Sequence, residues 1–404
     1  MRRSTDRIIV SHAGTLPRTD DLRAMMQDPN RADEFTKALP AAVKEVVRKQ
    51  VEVGIDVVND GELGKRDGFS SYPRSRISGI EVREFAPGEG PKPHDVQGRD
   101  RISFPEFGKL GFPARPGGAP TGGNQAQPGA QGGGTVAAPG GRRAMVFCTG
   151  PITYIGKQHY EEDIRNLKAA VEGLDVEAYL PAVAPGTMEH WLRNEYYKSD
   201  EEMLYAIAEA MKEEYKAIID AGFVLQIDDP DLPDGWQMYP EMSIEEYHKY
   251  AQVRIEALNH GLAGLPEDRI RFHTCWGSQH GPHMDDIELK HIVDLVLMVR
   301  AECISVEAAN PQHDHDWKLW ETVKLPEGKS YMPGVVSHVS NHIEHPELVA
   351  QRLIRYANVM GKENVIAGTD CGMGSRVGHP EVAWAKFKAM SEGARIATKE
   401  LWGK

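Results

Sequence analysis

The sequence predicts a (β/α)8 barrel, which the whole chain (residues 1–404) forms as a single domain. Two observations predict it. Counted from Ile8, eight apolar runs typical of buried strands alternate with helical segments, as in a parallel barrel. Side chains able to do chemistry fall at the C-terminal ends of these runs, where barrel enzymes carry their active sites. A doubly wound open sheet is the alternative, but Gly14-Thr-Leu-Pro17 lacks the glycine pattern that binds phosphate in that fold.

The elements are assigned from apolar periodicity and its interruptions. Residues 8–13 form the predicted first strand, a helix covers 41–53, and residues 55–60 form the second strand. Residues 178–183 are the predicted third strand, and 144–148 are the alternative for that place. The later elements alternate regularly: helix 200–221 after the N-cap Ser199, strand 223–228, helix 243–262, strand 270–275, helix 286–300, strand 302–307, a helical turn at 314–322, strand 331–336, helix 346–360, strand 364–369 and helix 380–400.

A long excursion, residues 64–177, separates the second and third predicted strands. Within it the segment 116–141 has fourteen glycines and prolines among twenty-six residues, and it has no charged side chain. Such a segment cannot bury enough apolar surface to offset the entropy lost on ordering. We therefore expect 116–141 to be flexible.

Deleting 116–141 and closing the gap with a short Gly/Ser linker should leave the melting temperature nearly unchanged, because surface loops tolerate changes in length. Thermal unfolding of the shortened and intact chains measures this. A loss of folding would show instead that the segment packs on the barrel or on a partner subunit.

Composition argues against several classes of function. The net charge of −13 disfavours nucleic acid or an anionic membrane as a partner. The first residues lack the apolar core of a signal peptide, and no run approaches the roughly eighteen apolar residues that span a bilayer. Four cysteines in a chain of this length are not a disulfide framework. These features predict a cytoplasmic protein with free thiols, of which Cys148 and Cys303 are structural, and they leave open whether it forms a homo-oligomer.

The fifth predicted strand contains the motif His273-Thr-Cys275. Residues two apart in a strand point to the same face, so the imidazole and the thiol leave this strand side by side. Imidazole and thiolate together favour zinc over calcium or magnesium, which prefer oxygen ligands.

Other strand ends carry further candidates. They are His12 and Thr15 after the first strand, Glu62 after the second, Asp228 after the fourth, Glu307 at the sixth, His338 after the seventh and Cys371 after the eighth. Each of them alone has an ordinary structural explanation, such as a turn or a cap. Together at one end of a barrel, His273, Cys275, Glu307 and Cys371 predict a zinc site that faces a substrate pocket.

Residues 178–404 resemble the catalytic barrel of the cobalamin-independent methionine synthase family, whose short single-barrel members include epoxyalkane:coenzyme M transferase. The zinc-ligand motifs of that family are matched by His273-Thr-Cys275, Ser305-Val-Glu307 and Asp370-Cys-Gly372. Segments that resemble its thiol-substrate segments are Ala13-Gly-Thr-Leu-Pro-Arg-Thr19, Asn59-Asp-Gly-Glu62 and Gln226-Ile-Asp-Asp-Pro230. The resemblance implies a barrel of the methionine synthase/uroporphyrinogen decarboxylase type with Zn²⁺ as its cofactor.

The resemblance also implies an activity, the zinc-dependent transfer of a methyl or alkyl group to the sulfur of a small thiol. Homocysteine is the expected acceptor, and a folate is one methyl donor that fits. The expected substrate-binding residues are His12, Thr15, Glu62 and Asp228. The proton-donating histidine of the family follows the seventh strand in an Asp-Ile-His-Ser pattern. Here the matching run is Ser337-His-Val-Ser340, and His338, one residue before that place, is the candidate proton donor.

Three alternatives remain open. The first is opening of an epoxide by another thiol such as coenzyme M, whose sulfonate would need Arg18, Lys65 or Arg66. The second is a metal-dependent hydrolase, which two cysteine ligands disfavour. The third is a metal-free lyase like uroporphyrinogen decarboxylase, which would favour basic residues facing an acidic porphyrin, whereas the candidate residues here are mainly acidic.

Overall fold

The structure is a computed structural model. It describes residues 1–65, 72–85, 94–95, 98–109, 132–133, 135–137, 143–277 and 280–403. The strands of this described part are β1 (Ile9–Val10), β2 (Val57–Val58), β3 (Ile80–Phe85), β4 (His94–Asp95), β5 (Gly132–Gly133), β6 (Thr135–Ala137), β7 (Arg143–Cys148), β8 (Glu177–Val183), β9 (Leu192–Asn194), β10 (Val224–Asp228), β11 (Ile270–Thr274), β12 (Cys303–Val306), β13 (Ser330–Val336) and β14 (Ile366–Thr369).

The α-helices of the same part alternate with the barrel strands or lie in the excursion. They are α1 (Asp20–Gln27), α2 (Ala32–Glu52), α3 (Tyr72–Arg76), α4 (Gly98–Ser103), α5 (Pro105–Lys109), α6 (Lys157–Val171), α7 (Pro185–His190), α8 (Asp200–Asp220), α9 (Asp231–Met238), α10 (Ile244–Gly261), α11 (Val293–Met298), α12 (Pro346–Met360), α13 (Met373–Arg376) and α14 (Pro380–Trp402). None of these described helices combines the length and the apolar character needed to cross a membrane.

Eight parallel strands form a nearly closed barrel, as predicted, in the order β1-β14-β13-β12-β11-β10-β8-β2. The ends of this order approach each other, because the Asp56 backbone N–H donates to the Val10 carbonyl at 2.9 Å. The Ser11 hydroxyl adds a bond to the Val57 carbonyl at 3.0 Å. Strand β8 is the predicted third strand, so the choice of 178–183 over 144–148 is confirmed.

Inside the barrel, a layer of apolar side chains is followed, toward the C-terminal ends of the strands, by a layer of polar ones. Seven strands each contribute one buried residue to an interior cluster: Ile9, Val57, Tyr179, Val224, Cys303, Met332 and Ile366. The next level contains the buried Arg271, whose guanidinium donates to Gln226 Oε1 at 2.7 Å and to Ser11 Oγ at 2.8 Å. Because side chains alternate along a strand, the residues two further on, including His273 and Asp228, face the same interior at the C-terminal end.

The excursion contains structure that the sequence did not predict. Strands β3, β7 and β6 form an antiparallel sheet, and β9 from the barrel side pairs with β7. Helix α4 docks on the barrel, because the backbone N–H groups of Arg99 and Asp100 both donate to Gln237 Oε1, at 3.0 and 3.1 Å. Of the segment 116–141, strands β5 and β6 are described and the rest lies outside the described residues. Its dispensability stays a prediction, which a deletion of 116–131 tests without removing β5 or β6.

Four predicted elements differ most in their bounds. Helix α2 begins at Ala32 and includes Pro40, whereas the prediction began after this proline. The first and second strands pair over two residues each. The predicted helix 286–300 is wrong over its first half, since only Val293–Met298 is α-helical. The carboxylate of Asp286 instead accepts hydrogen bonds from histidine rings, described below, and this loop structure replaces the expected first turns.

Candidate active site

Three of the predicted zinc ligands lie together at the C-terminal end of the barrel. His273 lies in β11, Cys275 directly follows that strand, and Cys371 is the second residue after β14. The Sγ atoms of Cys275 and Cys371 are 3.8 Å apart, and neither cysteine is in a disulfide. The ligand atoms of the three residues all lie within 4.8 Å of one another. Two strands on different sides of the barrel therefore deliver one group of nitrogen and sulfur donors.

The His273 ring is oriented by its neighbour in the sheet. His273 pairs with Ser305 in the register of β11 and β12, and its Nδ1 lies 3.0 Å from Ser305 Oγ. Its Nε2 is buried and has no nitrogen or oxygen partner among the described residues, and the ring interacts with the Cys371 thiol. A buried ring nitrogen that faces sulfur and not a conventional donor or acceptor fits a metal ligand, and a hydrogen bond at the other ring nitrogen is what orients such ligands.

The side chains of Cys275 and Cys371 differ in how readily they lose a proton. The Cys275 thiol donates toward the Cys371 sulfur, and this bond, together with one to the His273 ring and an electrostatic contribution from His338, holds the pKa of Cys371 well below its usual range. The same bond, together with burial, raises the pKa of Cys275. The site therefore favours a thiolate at Cys371, the form of cysteine that binds metal.

Glu307, the fourth predicted ligand, lies in an adjoining group with His338 and Asp370, whose ligand atoms are also within 4.8 Å of one another. Glu307 Oε2 accepts from the Trp276 backbone N–H at 3.0 Å, and Oε1 accepts from Asn310 Nδ2 at 2.7 Å. Burial and the negative charge of Asp370 raise the pKa of Glu307 to about 8. This group adjoins the group of His273, Cys275 and Cys371, because Asp370 and Cys371 are consecutive residues.

Asp370 is fixed by the backbone of the loop after β12. Its Oδ1 accepts from the N–H groups of Ala308 and Ala309 at 2.8 and 2.7 Å, while its buried Oδ2 has no hydrogen-bond partner. Gly334 makes room for it, since a Cβ there would lie 1.9 Å from Asp370 Oδ1. Burial raises the pKa of Asp370 to about 6.

His338, the predicted proton donor, is fully buried beside Glu307. Its Nδ1 is 4.0 Å from Glu307 Oε1, and neither ring nitrogen makes a hydrogen bond to any residue that the structure describes. Burial lowers the pKa of His338 to about 4. The ring is therefore neutral at pH 7, with both nitrogens free to meet a substrate.

Further acidic side chains lie at the same end of the barrel. The Thr15 hydroxyl donates to Glu62 Oε1 at 2.9 Å, and Lys65 Nζ is 3.4 Å from Glu62 Oε2. Glu62 has a φ of 53°, a left-handed conformation that only a specific local structure maintains in a residue other than glycine. Asp228 is opposite His273 in the register of β10 and β11, and it accepts from Gln226 Nε2 at 2.6 Å. Burial raises the pKa of Asp228 to about 7, and the charge of Glu62 contributes to this shift.

His12 differs from these residues, because both of its ring nitrogens lie within hydrogen-bonding distance of other side chains of the protein. Its Nε2 lies 2.8 Å from Gln50 Oε1, and its Nδ1 lies 3.2 Å from the Tyr179 hydroxyl. Burial lowers the pKa of His12 to about 4. A substrate would have to replace one of these partners, so the predicted contact of His12 with substrate stays a prediction.

Sequence reasoning missed two parts of the site. Asn310, three residues after Glu307, was not singled out, and its only signal is this short spacing. His313 was not singled out either, but it is buried, with 3% exposure, whereas His315, His342 and His345 are exposed. Its burial comes from contacts with Asp286 and Trp276, far from it in the sequence, so no local pattern could indicate it.

Comparison with known proteins bears on the family to which the chain belongs. Residues 181–395 match the family described as "Cobalamin-independent synthase, Catalytic domain". A methionine synthase of Sulfolobus acidocaldarius is 22% identical over 376 residues, which are 91% of this chain and 85% of that protein. One of Sulfurisphaera tokodaii is 24% identical over 223 residues, which are 54% of this chain and only 56% of that protein.

A solved structure of a B12-independent methionine synthase from Shewanella sp. W3-18-1, in complex with selenomethionine, has the same fold. It superposes with a TM-score of 0.70 at 20% identity and covers 98% of this chain and 100% of that one. The family match extends over more than half of the chain, from β8 to α14, and includes every strand-end residue from Asp228 to Cys371. We therefore conclude that the chain belongs to the cobalamin-independent synthase family.

Proposed function

We propose that the protein transfers a methyl group to the sulfur of homocysteine and requires zinc for this reaction. One observation carries the proposal: His273, Cys275 and Cys371 bring an imidazole nitrogen and two thiols within 4.8 Å of one another at the catalytic end of a barrel. The methionine synthases that the chain resembles support the choice of acceptor.

The donor set fits zinc. Two sulfurs, an imidazole nitrogen and a nearby carboxylate are ligands that this ion takes in proteins. His273, Cys275 and Cys371 would hold it, with Glu307 as the fourth ligand. When bound, zinc supplies a Lewis acid that lowers the pKa of a substrate thiol from about 8.5, so that a thiolate forms at neutral pH.

The acidic side of the site favours an amino acid as the thiol. Glu62 and Asp228 are two carboxylates suited to the ammonium group of homocysteine. A sulfonate thiol would instead need a free cation. Arg18 does not offer one, because its guanidinium donates to the backbone carbonyls of Glu62 and Lys65, at 2.6 and 2.9 Å. Arg66 lies outside the described residues.

In the proposed reaction the substrate thiolate attacks the methyl carbon of the donor. A carbon–sulfur bond forms while the bond from that carbon to the leaving group breaks, and the electron pair stays with the leaving group. A folate-like amine leaving in this way takes up a proton. We propose that His338 supplies it, since a general acid must reach the leaving atom and no protein group occupies either ring nitrogen.

The test of the proposed function is proton release on binding. At pH 8 a free thiol is roughly three-quarters protonated, whereas Asp228, with its pKa of about 7, is already mostly ionised. Zinc-loaded protein should therefore release about 0.7 proton per homocysteine bound, counted by calorimetry in buffers of different ionisation enthalpy. Homoserine, which has a hydroxyl in place of the thiol, is the matched control and should release almost none. Binding of homocysteine without proton release would contradict the proposal.

Replacing Asp228 by Asn should weaken homocysteine binding by about 1.5–3 kcal/mol, because a buried charged hydrogen bond to the ammonium group is lost. Coenzyme M, which has no ammonium group, should bind the variant as it binds the wild type or better. Calorimetric titration with both thiols measures the two effects. Unchanged homocysteine binding, together with loss of coenzyme M binding in Arg18→Ala, would favour the epoxide-opening reaction instead.

A further inference from the structure

The Glu307 carboxylate is held by donors from two different loops. Trp276, whose N–H binds Oε2, follows Cys275 at the end of β11. Asn310, whose side chain binds Oε1, lies in the loop after β12. The direction of the carboxylate therefore depends on how these two loops are fixed relative to each other.

His313 contacts both donors. Its backbone N–H donates to Asn310 Oδ1 at 3.1 Å, which orients the amide so that Nδ2 faces Glu307. Its ring stacks on the Trp276 ring, with centroids 3.9 Å apart and planes 23° apart. One residue thus joins the loop that presents the Trp276 N–H to the loop that presents Asn310.

Both ring nitrogens of His313 lie within hydrogen-bonding distance of a carboxylate. Its Nε2 lies 3.2 Å from Asp286 Oδ2, and its Nδ1 lies 3.2 Å from Asp316 Oδ2. Although burial opposes a charge on the ring, the bonds to Asp286 and Asp316 raise the pKa of His313 to about 9. A buried cation between two carboxylates has little freedom to turn, so the ring keeps its place on Trp276.

Asp286 is in turn tied to the excursion. His283 Nδ1 lies 2.8 Å from Asp286 Oδ2, and the backbone N–H of His283 donates to Asp100 of α4 at 2.9 Å. His283 has a φ of 55°, a left-handed conformation, and the bond to the buried Asp100 stabilises this turn. The excursion thus contributes to the rigidity of the catalytic end.

We propose that His313 is a positioning residue for Glu307. Through its backbone and its ring it fixes the two donors that hold the carboxylate, and it thereby sets the position from which the carboxylate meets a bound metal. This inference rests on the proposed zinc site. It goes beyond that proposal by assigning a role to a residue that touches neither metal nor substrate.

The test is zinc affinity of the full chain, measured by competition with a chromophoric chelator. His313→Gln keeps a side-chain donor but removes the ring, and we expect it to weaken zinc binding by about 10–100-fold, the usual effect of losing a group that orients a metal ligand. His342→Gln, at an exposed histidine in the loop after β13, is the control and should bind zinc as the wild type does. If His313→Gln does not fold, His313→Asn, which also lacks the ring, replaces it.

A double-mutant cycle separates positioning from general structural damage. In a Glu307→Gln background the carboxylate can no longer be positioned, so the further change His313→Gln should not weaken zinc binding again. Equal losses in both backgrounds, or wild-type affinity in His313→Gln, would overturn the inference. Failure of the proposed function is distinguishable, because the wild-type protein would then bind no zinc at all.

Discussion

Replacing Cys371 by Ser should remove zinc from the protein. We expect about one zinc ion per wild-type chain, bound by four protein ligands or by three with the substrate thiol. A serine hydroxyl stays protonated at neutral pH and is a poor ligand where a thiolate stood. Groups that only orient a metal ligand change metal affinity by about 10–100-fold, so loss of a ligand itself should weaken zinc binding by more than about 100-fold.

The control is Cys303→Ala, which removes a different buried thiol. Cys303 packs among the apolar residues of the barrel interior, apart from the group of His273, Cys275 and Cys371. This variant should keep its zinc. Elemental analysis after dialysis against a weak chelator gives the metal content, and thermal unfolding shows that both variants are folded. A zinc-free wild-type protein, or full zinc in Cys371→Ser, would contradict the assignment.

The barrel could be predicted because its strands are buried on both faces. In β8 the residues after Glu177 read as a continuous apolar run, β10 is buried throughout, and helix α8 between these strands carries a clear cap at Ser199. The first two strands were predicted too long because their ladders stop early. Beyond Val10 and Val58 the backbone bonds to side chains such as Thr369 and Gln50, which no apolar pattern can reveal.

The convergence of His273, Cys275 and Cys371 could also be predicted, because parallel strands in a barrel end on one side. The surroundings of Glu307 could not. They depend on the contact of His313 with Asp286, 27 residues away in the sequence, and on a backbone N–H of Trp276, which belongs to another loop. Backbone donors have no sequence signature, and a buried histidine is recognised only once its partners are known.

Replacing His338 by Gln should lower kcat by about 10²–10⁴-fold, the usual contribution of a general acid, while zinc content and homocysteine affinity stay unchanged. The reason is access, since the ring is buried beside Glu307 with both nitrogens unpartnered. Because burial lowers the pKa of His338 to about 4, the resting ring is neutral at pH 7, and it acts by relaying a proton from solvent to the leaving amine. Steady-state rates with a methylated folate, a donor whose leaving group is an amine, measure the effect.

The leaving group provides the decisive comparison for His338. With iodomethane as methyl donor, iodide leaves without taking up a proton, so His338→Gln should then react at nearly the wild-type rate. A structural defect at the site would slow both donors equally. His342→Gln, at an exposed position four residues along, is the control that should leave both rates unchanged. If His338→Gln slows iodomethane as much as the amine donor, His338 shapes the site and another group provides the proton.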